Sequence, residues 1–231
     1  MLPEIVLVSL WGGVVALDTT AFLQVMISRP IVACTVVGLI LGNVPLGFTL
    51  GLLLELAYIT ELPVGAAKFD ESNVGAVAAA AIAEFAVRRL PDRVDAVIVL
   101  AIILAIPISM VGGILVGWMR TLNTRNYTRL LEQRIIKPRD INGAQLAGIS
   151  MAFLLGFFGV LISTLLFVQV VPYLLSLLPQ RYDKILQPAI GGLLAAECVF
   201  LAHMFWTQSR KRWLLLLGLA GGLALIYGRI V

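Results

Sequence analysis

The chain has 231 residues, 60% of them hydrophobic and 13% charged, with a formal net charge of +4 and a mean hydropathy of +1.00. About a quarter of the residues of a soluble domain are charged, so this composition excludes one and describes an integral membrane protein. Most Lys and Arg fall in short gaps between apolar runs, where the positive-inside bias puts them, so the basicity follows from topology and not from nucleic-acid binding.

A helix needs about 20 residues to cross a hydrocarbon core about 30 Å thick. Candidate membrane segments run roughly over 5–28, 31–59, 73–87, 96–119, 144–178, 185–207 and 212–228, and not all can be simple spans. The start of the chain has no Lys or Arg before Arg29 and carries Glu4. It therefore lacks the basic start of a secretory signal and is read as structure. Asp18 interrupts this run, with Gln24 further along. It is expected either to cap a half-helix starting at Thr19 or to serve as a ligand.

Next comes RPIVACTVVGLILGNVPLGFTLGLLLELAY, in which Gly42, Asn43, Pro45 and Gly47 form a turn signal between two apolar flanks. Each flank has about a dozen residues and reaches only about 17–20 Å, too short to cross alone. The pair is expected to form a re-entrant hairpin or a broken helix. Such backbone is tolerated only where protein or a watery cavity covers it, and transporters place substrate sites at such breaks. Glu55 lies near the end of this stretch. An ionised side chain at membrane depth costs at least about 2.5 kcal/mol, so Glu55 is expected to face a cavity, partner or substrate. The competing reading is a structural pair with Arg29 or a protonated, packed carboxyl.

A second break, ELPVGAAKFDESN, carries Pro63, Gly65 and an acidic cluster before an Ala-rich run. Asp70 or Ser72 is expected to cap the helix that follows, Asp70 and Asn73 otherwise being solvated loop residues, and Glu61 reads as interfacial. If 144–178 and 185–207 each cross once, the gap at 88–95 is expected to face outward, and the basic stretch 120–143 is expected to be a cytoplasmic loop. SRKR at 209–212 forms a second basic gap on the cytoplasmic side. Small residues four apart, such as Gly38 with Gly42 and Gly47 with Gly51, let helices approach closely in lipid. Glu197 is a further deep acid, while His203 reads as an interface or core residue. Cys34 and Cys198 lie in apolar runs with no metal or disulfide spacing. No Walker, HExxH or GxSxG motif occurs. No catalytic residue, cofactor or metal is therefore expected, and the chain reads as a pore or carrier that borrows its energy. A carboxylate and an amide suit a sugar, whose apolar face Tyr58, Phe69 or Trp11 could cover.

The stretch LDTTAFLQVMISRPIVACTVVGLILGNVPLGFTLGLLLELAYITELPVGAAKFD resembles the membrane subunit IIC of the mannose/fructose/sorbose family of the bacterial sugar phosphotransferase system. Leu17, Asp18, Gln24, Arg29, Pro30, the VGLILG run, LEL around Glu55, and PVGAA followed by Asp70 carry the resemblance. It covers residues 10–80 strongly. It implies one membrane-embedded all-α domain, polytopic, with discontinuous or re-entrant helices in its N-terminal half. It also implies a multi-pass location in the bacterial cytoplasmic (inner) membrane and an oligomeric assembly with a IID membrane subunit. Soluble IIA and IIB phosphocarriers would phosphorylate the hexose that IIC translocates, so IIC would not be an enzyme on its own. The substrate-binding residues so implied are Glu55, Asp70, Asp18 and Gln24, with Asn73 added from the helix start beyond the motif. Lys68 and Phe69 stand where the family usually has prolines. A membrane scaffold or regulatory subunit without transport is the second reading, and an unrelated secondary carrier the third.

Overall fold

The computed structural model describes residues 1–22, 24–58, 71–132 and 137–207, together with 213, 216–218 and 220–221. Asp70, Glu61, Lys68, Phe69 and most of the candidate segment 212–228 lie outside the described residues. The chain divides into two compact units, Met1–Gln187 and Pro188–Val231. All regular elements among the described residues are helices, and the protein is an all-α polytopic membrane protein. Among those residues three helical stretches, Leu2–Thr19, Pro91–Leu131 and Pro138–Leu177, are long and apolar enough to cross a bilayer.

Helix α1 (Leu2–Ala16) starts with Pro in its first turn, where the missing N–H is no loss. It runs on without a break through a π-helical turn, Leu17–Ala21, and ends at the extended residue Phe22. The expectation of a half-helix starting at Thr19 is corrected here: Asp18 lies inside the continuous π turn and not at a helix start.

The turn signal at Gly42 is a true break. Helix α2 (Pro30–Leu41) stops at Gly42, whose φ of 89° is left-handed and free of strain only without a Cβ. Helix α3 (Val44–Ala57) starts at once, and the Asn43 side chain accepts the Leu46 N–H at 3.4 Å as its cap. The two halves measure about 18 and 21 Å and fold on each other as a hairpin. A Cβ on Gly47 would stand 2.9 Å from Gly38 Cα, so the halves meet backbone to backbone, as small residues permit.

Helix α4 (Ser72–Val87) is the spine of the first unit. Residues 76–83, six of them Ala, are all at 0% exposure, and the helix packs against α1, α2 and α3. Alanine has the highest helix propensity and no side-chain entropy to lose, so neighbours can close on every side. Ser72 is the first helical residue, Glu71 is the N-cap, and that cap makes no side-chain bond. The expected Ser72 cap is therefore absent.

A 3₁₀ turn, Pro91–Arg93, leads into α5 (Val94–Leu131), which runs antiparallel to α6 (Pro138–Leu177); both pack on α4. At 38 and 40 residues they reach about 57 and 60 Å, nearly twice the hydrocarbon thickness. The basic stretch 120–143, read from sequence as a loop, is mostly the helical ends of these two elements. Hydroxyls of Thr121, Thr124 and Thr128 donate to carbonyls four residues back at 2.9–3.0 Å. The Lys137 N–H is received by the Asp140 carboxylate at 3.0 Å, closing the start of α6.

The opposite end of the unit is tied by arginines. Arg88 pairs with Glu4 at 2.8 Å and donates to the Leu41 carbonyl at the hairpin tip. Arg89 donates to Gln169 at 2.6 Å. Arg93, 6% exposed, donates to the Leu175 carbonyl and binds both Asp183 oxygens at 2.6 and 2.7 Å, at the start of α7 (Asp183–Thr207). The N-terminus, the hairpin tip, the 88–93 turn and the start of α7 thus share one end, and the basic helical arms form the other.

Two outcomes follow. A methyl at Gly156 of α6 would press into the Gly12 backbone of α1, whereas Gly143 has open space. Gly156→Ala is expected to cost about 1–3 kcal/mol, while Gly143→Ala gains about 0.5–1 kcal/mol. Melting of the detergent-solubilised protein should therefore shift in opposite directions for the two variants. The Arg93 guanidinium holds the Asp183 carboxyl below the usual carboxylate range. A depressed carboxylate contributes stability that is complete above its ordinary pKa and is lost as pH falls through the folded value. Asp183→Asn is expected to flatten the acid limb of a melting-temperature-against-pH profile, and an unchanged acid limb would remove this pair from the account.

Candidate functional site

Helices that end inside a bilayer leave N–H and C=O groups that need partners, and the acids of the N-terminal half meet that need. Asp18, 3% exposed, accepts the Val25 N–H on Oδ1 at 2.7 Å and the Ser28 N–H on Oδ2 at 2.9 Å. It thereby folds the chain after the π turn back on itself. Within the clamped loop Gln24 and Met26 have φ of 53° and 68°, a left-handed conformation uncommon outside glycine. The Gln24 side chain is exposed.

Thr19, one residue beyond Asp18, links α1 to α4. Its hydroxyl lies 3.1 Å from the Val15 carbonyl and accepts the Asn73 amide at 3.2 Å, and it also meets the Glu71 carboxyl. Glu71, 4% exposed, donates its own N–H to the Ser109 carbonyl of α5 at 3.0 Å. Gly112 makes room for it, since a Cβ there would stand 2.6 Å from Glu71 Cβ. The Ser109 hydroxyl lies 3.1 Å from Tyr58 Oη at the end of α3. The end of α1, the start of α4, the middle of α5 and the end of α3 therefore meet in one polar layer. Its members are Asp18, Thr19, Glu71, Asn73, Ser109 and Tyr58.

Glu55 is one turn before Tyr58, at the open mouth of the hairpin. Its Oε2 accepts the Ile31 N–H at 3.3 Å and its Oε1 lies 3.4 Å from Arg29 Nη1. It is thus the structural partner of Arg29 and also caps α2, whose first residue, Pro30, has no N–H to offer. Its side chain keeps 19% exposure. Trp11 Nε1 donates to the Ala33 carbonyl at 3.0 Å, fixing α1 against the hairpin.

Of the residues singled out from sequence, Asn73 bonds Thr19, next in the chain to Asp18; Gln24 sits on the loop that Asp18 clamps; and Glu55 pairs with Arg29 at the hairpin mouth, one turn before Tyr58. Asp70 lies outside the described residues, next in the chain to Glu71. Glu197 and the exposed His203 belong to α7, beyond the first unit. Sequence reasoning passed over Glu71 and Ser109, and it passed over Glu84 of α4. Glu84 is 1% exposed, with Asn43 of the hairpin tip beside it and Oε1 lacking a partner among the described residues. The signal for Glu84 was present, because a lone acid in AAIAEFAV breaks an apolar run just as Glu55 does. Among the described residues no three His, Cys, Asp or Glu side chains gather as a metal site.

The Asp18 carboxylate is testable as a clamp. Leaving a buried donor unpaired costs about 1–3 kcal/mol, so Asp18→Ala is expected to lower the melting temperature markedly. Asp18→Asn, which keeps one acceptor oxygen, should lose less, and equal losses would mean that the amides are not what the side chain serves.

The family model for the PTS system sorbose-specific IIC component matches residues 2–219. The chain is 25% identical over 197 residues to the PTS system sorbose-specific EIIC component of Klebsiella pneumoniae, covering 84% of this chain and 71% of that one. Two solved structures share the fold at 20% identity, each match covering 100% of this chain and 96% of the other. One is described as the structure of a membrane protein, with a TM-score of 0.66. The other is the cryo-EM structure of the mannose transporter ManYZ in complex with microcin E492 (MceA), with a TM-score of 0.53.

Proposed function

The chain belongs to the sorbose-specific IIC family of the sugar phosphotransferase system, and from that premise we propose that it binds a hexose in the polar layer and carries it across the bacterial cytoplasmic membrane. As a IIC component it works with other components of that system. The finer assignment pairs it with a IID membrane subunit in an oligomeric complex, with soluble IIA and IIB carriers supplying the phosphoryl group. The basic arms of α5 and α6 then face the cytoplasm, in keeping with the positive-inside bias. The end that carries Met1, the hairpin tip and the 88–93 turn faces outward.

One observation supports the site: the end of α1, the end of α3 and the start of α4 bring Thr19, Asn73, Glu71, Ser109 and Tyr58 together in one polar layer. Discontinuous helices supply unpaired backbone groups and polar side chains near the middle of a transporter, where a solute needs replacements for its water. A hexose presents donors and acceptors together, and Asn73, Gln24 and Glu71 offer both kinds. Asp18 acts by holding the Gln24 loop, and Glu55 by fixing the hairpin mouth with Arg29. Asp70, adjacent to Glu71 in the chain, completes the proposed set.

The test is uptake of radiolabelled D-mannose, D-fructose and L-sorbose by cells that express the complete set of system components. Loss of a hydrogen bond to a charged group costs about 1.5–3 kcal/mol, or roughly tenfold to a hundredfold. Glu71→Gln and Asp70→Ala should reduce uptake by that much, and Asn73→Ala should reduce it less. Normal uptake in all three variants would remove the layer from the account. No uptake of any of these sugars with the natural residues would favour a scaffold or regulatory subunit.

A further inference from the structure

Beyond the membrane-depth layer, the inner faces of the α5 and α6 arms part to leave a cleft of about 680 Å³, within the range of small-molecule sites. Its polar lining is Arg120, Asn123, Asn126, Tyr127 and Gln145. The side-chain amides of Asn123, Asn126 and Gln145 make no hydrogen bond among the described residues. Gly148 keeps the space in front of Asn123 open, since a Cβ there would come within 3.6 Å of the amide. The rest of the lining is apolar, with Met119, Leu130, Leu131, Ile141 and Ile149, so the cleft sets three amides and a phenol against an apolar wall, as small-molecule sites do.

The cleft also abuts the polar layer. A water-sized void of about 10 Å³ lies against Glu71, and Met119 and Ala152 line both that void and the cleft. Arg120, on the cleft side, is near enough for its charge to act on the Glu71 carboxylate. Met119 and Ala152 thus stand between Glu71 and the cleft, and Met119 is an unbranched side chain with three rotatable bonds.

We propose that the cleft between the α5 and α6 arms is an exit-side sugar subsite, which a hexose enters from the polar layer when Met119 swings aside. This rests on the reading of that layer as the sugar site. The amides both donate to and accept from vicinal hydroxyls, and Tyr127 offers a ring for the apolar face of the sugar. A lipid chain is the poorer occupant, because burying it there would strip water from three unpaired amides and a guanidinium.

Cysteine protection in the assembled complex tests this. Ala144, a small lining residue, is replaced in Ala144→Cys with Cys198→Ser to remove the exposed native thiol; Cys34 is buried and stays. Inverted membrane vesicles are treated with a membrane-impermeant maleimide in the presence of whichever of D-mannose, D-fructose or L-sorbose the complex binds. At sugar ten times its Kd the free fraction is 1/(1 + [L]/Kd), so labelling should slow about tenfold. Thr124→Cys, exposed and outside the cleft lining, should label at an unchanged rate. Adding Asn126→Ala and Gln145→Ala should raise the sugar concentration needed for protection, which a remote conformational effect would not do.

Gly148→Leu, filling the cleft, should leave equilibrium sugar binding to the complex intact while uptake falls at least tenfold. If sugar binds, and that binding is lost in Glu71→Gln, but Ala144→Cys is labelled at the same rate with and without it, the subsite is refuted while the layer stands. Protection by added phospholipid and not by sugar likewise overturns it. No binding of any of the three sugars refutes the layer and the subsite together.

Discussion

The structure depends on one constraint: a peptide group within hydrocarbon must find a partner, so a helix that stops or starts there needs other groups to receive its free backbone ends. Three side-chain closures organise the N-terminal half. Asn43 caps α3 at the hairpin tip, Glu55 caps α2 at its mouth, and Asp18 receives the amides of Val25 and Ser28 after α1 runs out. Each unpaired amide would cost on the order of 1–3 kcal/mol or more, so these side chains are first of all the condition for having breaks.

The second requirement is that the broken ends meet. The Ala-rich core of α4 allows it, because a helix with methyl side chains admits neighbours on all sides, and glycines at 12, 38, 47, 112 and 156 bring backbones or buried side chains into contact. Ser109 sits where α4, α5 and the end of α3 converge, touching both the Glu71 backbone and Tyr58. The long arms of α5 and α6 continue the same packing beyond the hydrocarbon, where the seam between them opens into a cleft.

Much of this was legible in the sequence. The run at 42–47 announces a break, because Gly, Asn and Pro in sequence favour ending one helix and starting another; that the halves fold back as a hairpin is a finding of the structure. The lone acids at 18 and 55 announce membrane-depth polarity. What sequence could not give was their partners: a π turn has no residue signature, so Asp18 read as the cap of a helix starting at Thr19. The arms read as a loop because Arg120, Arg125 and Arg129 mask a helical repeat that Thr side chains and a free solvent face sustain. Glu84 and Glu71 were missed for different reasons. Glu84 obeys the rule that flagged Glu55 and was simply not weighed by it, whereas Glu71 was hidden in an acidic cluster whose neighbours look like loop.

The central claim is that a sugar occupies the layer where α1 ends and α4 begins. Hydrogen–deuterium exchange of the assembled complex, with and without a bound hexose, addresses it most directly. The account predicts that sugar slows exchange in 24–28 and 71–75 together, since both segments border the same solute. Tight sugar binding with exchange unchanged in both segments, and slowed only elsewhere, would contradict it.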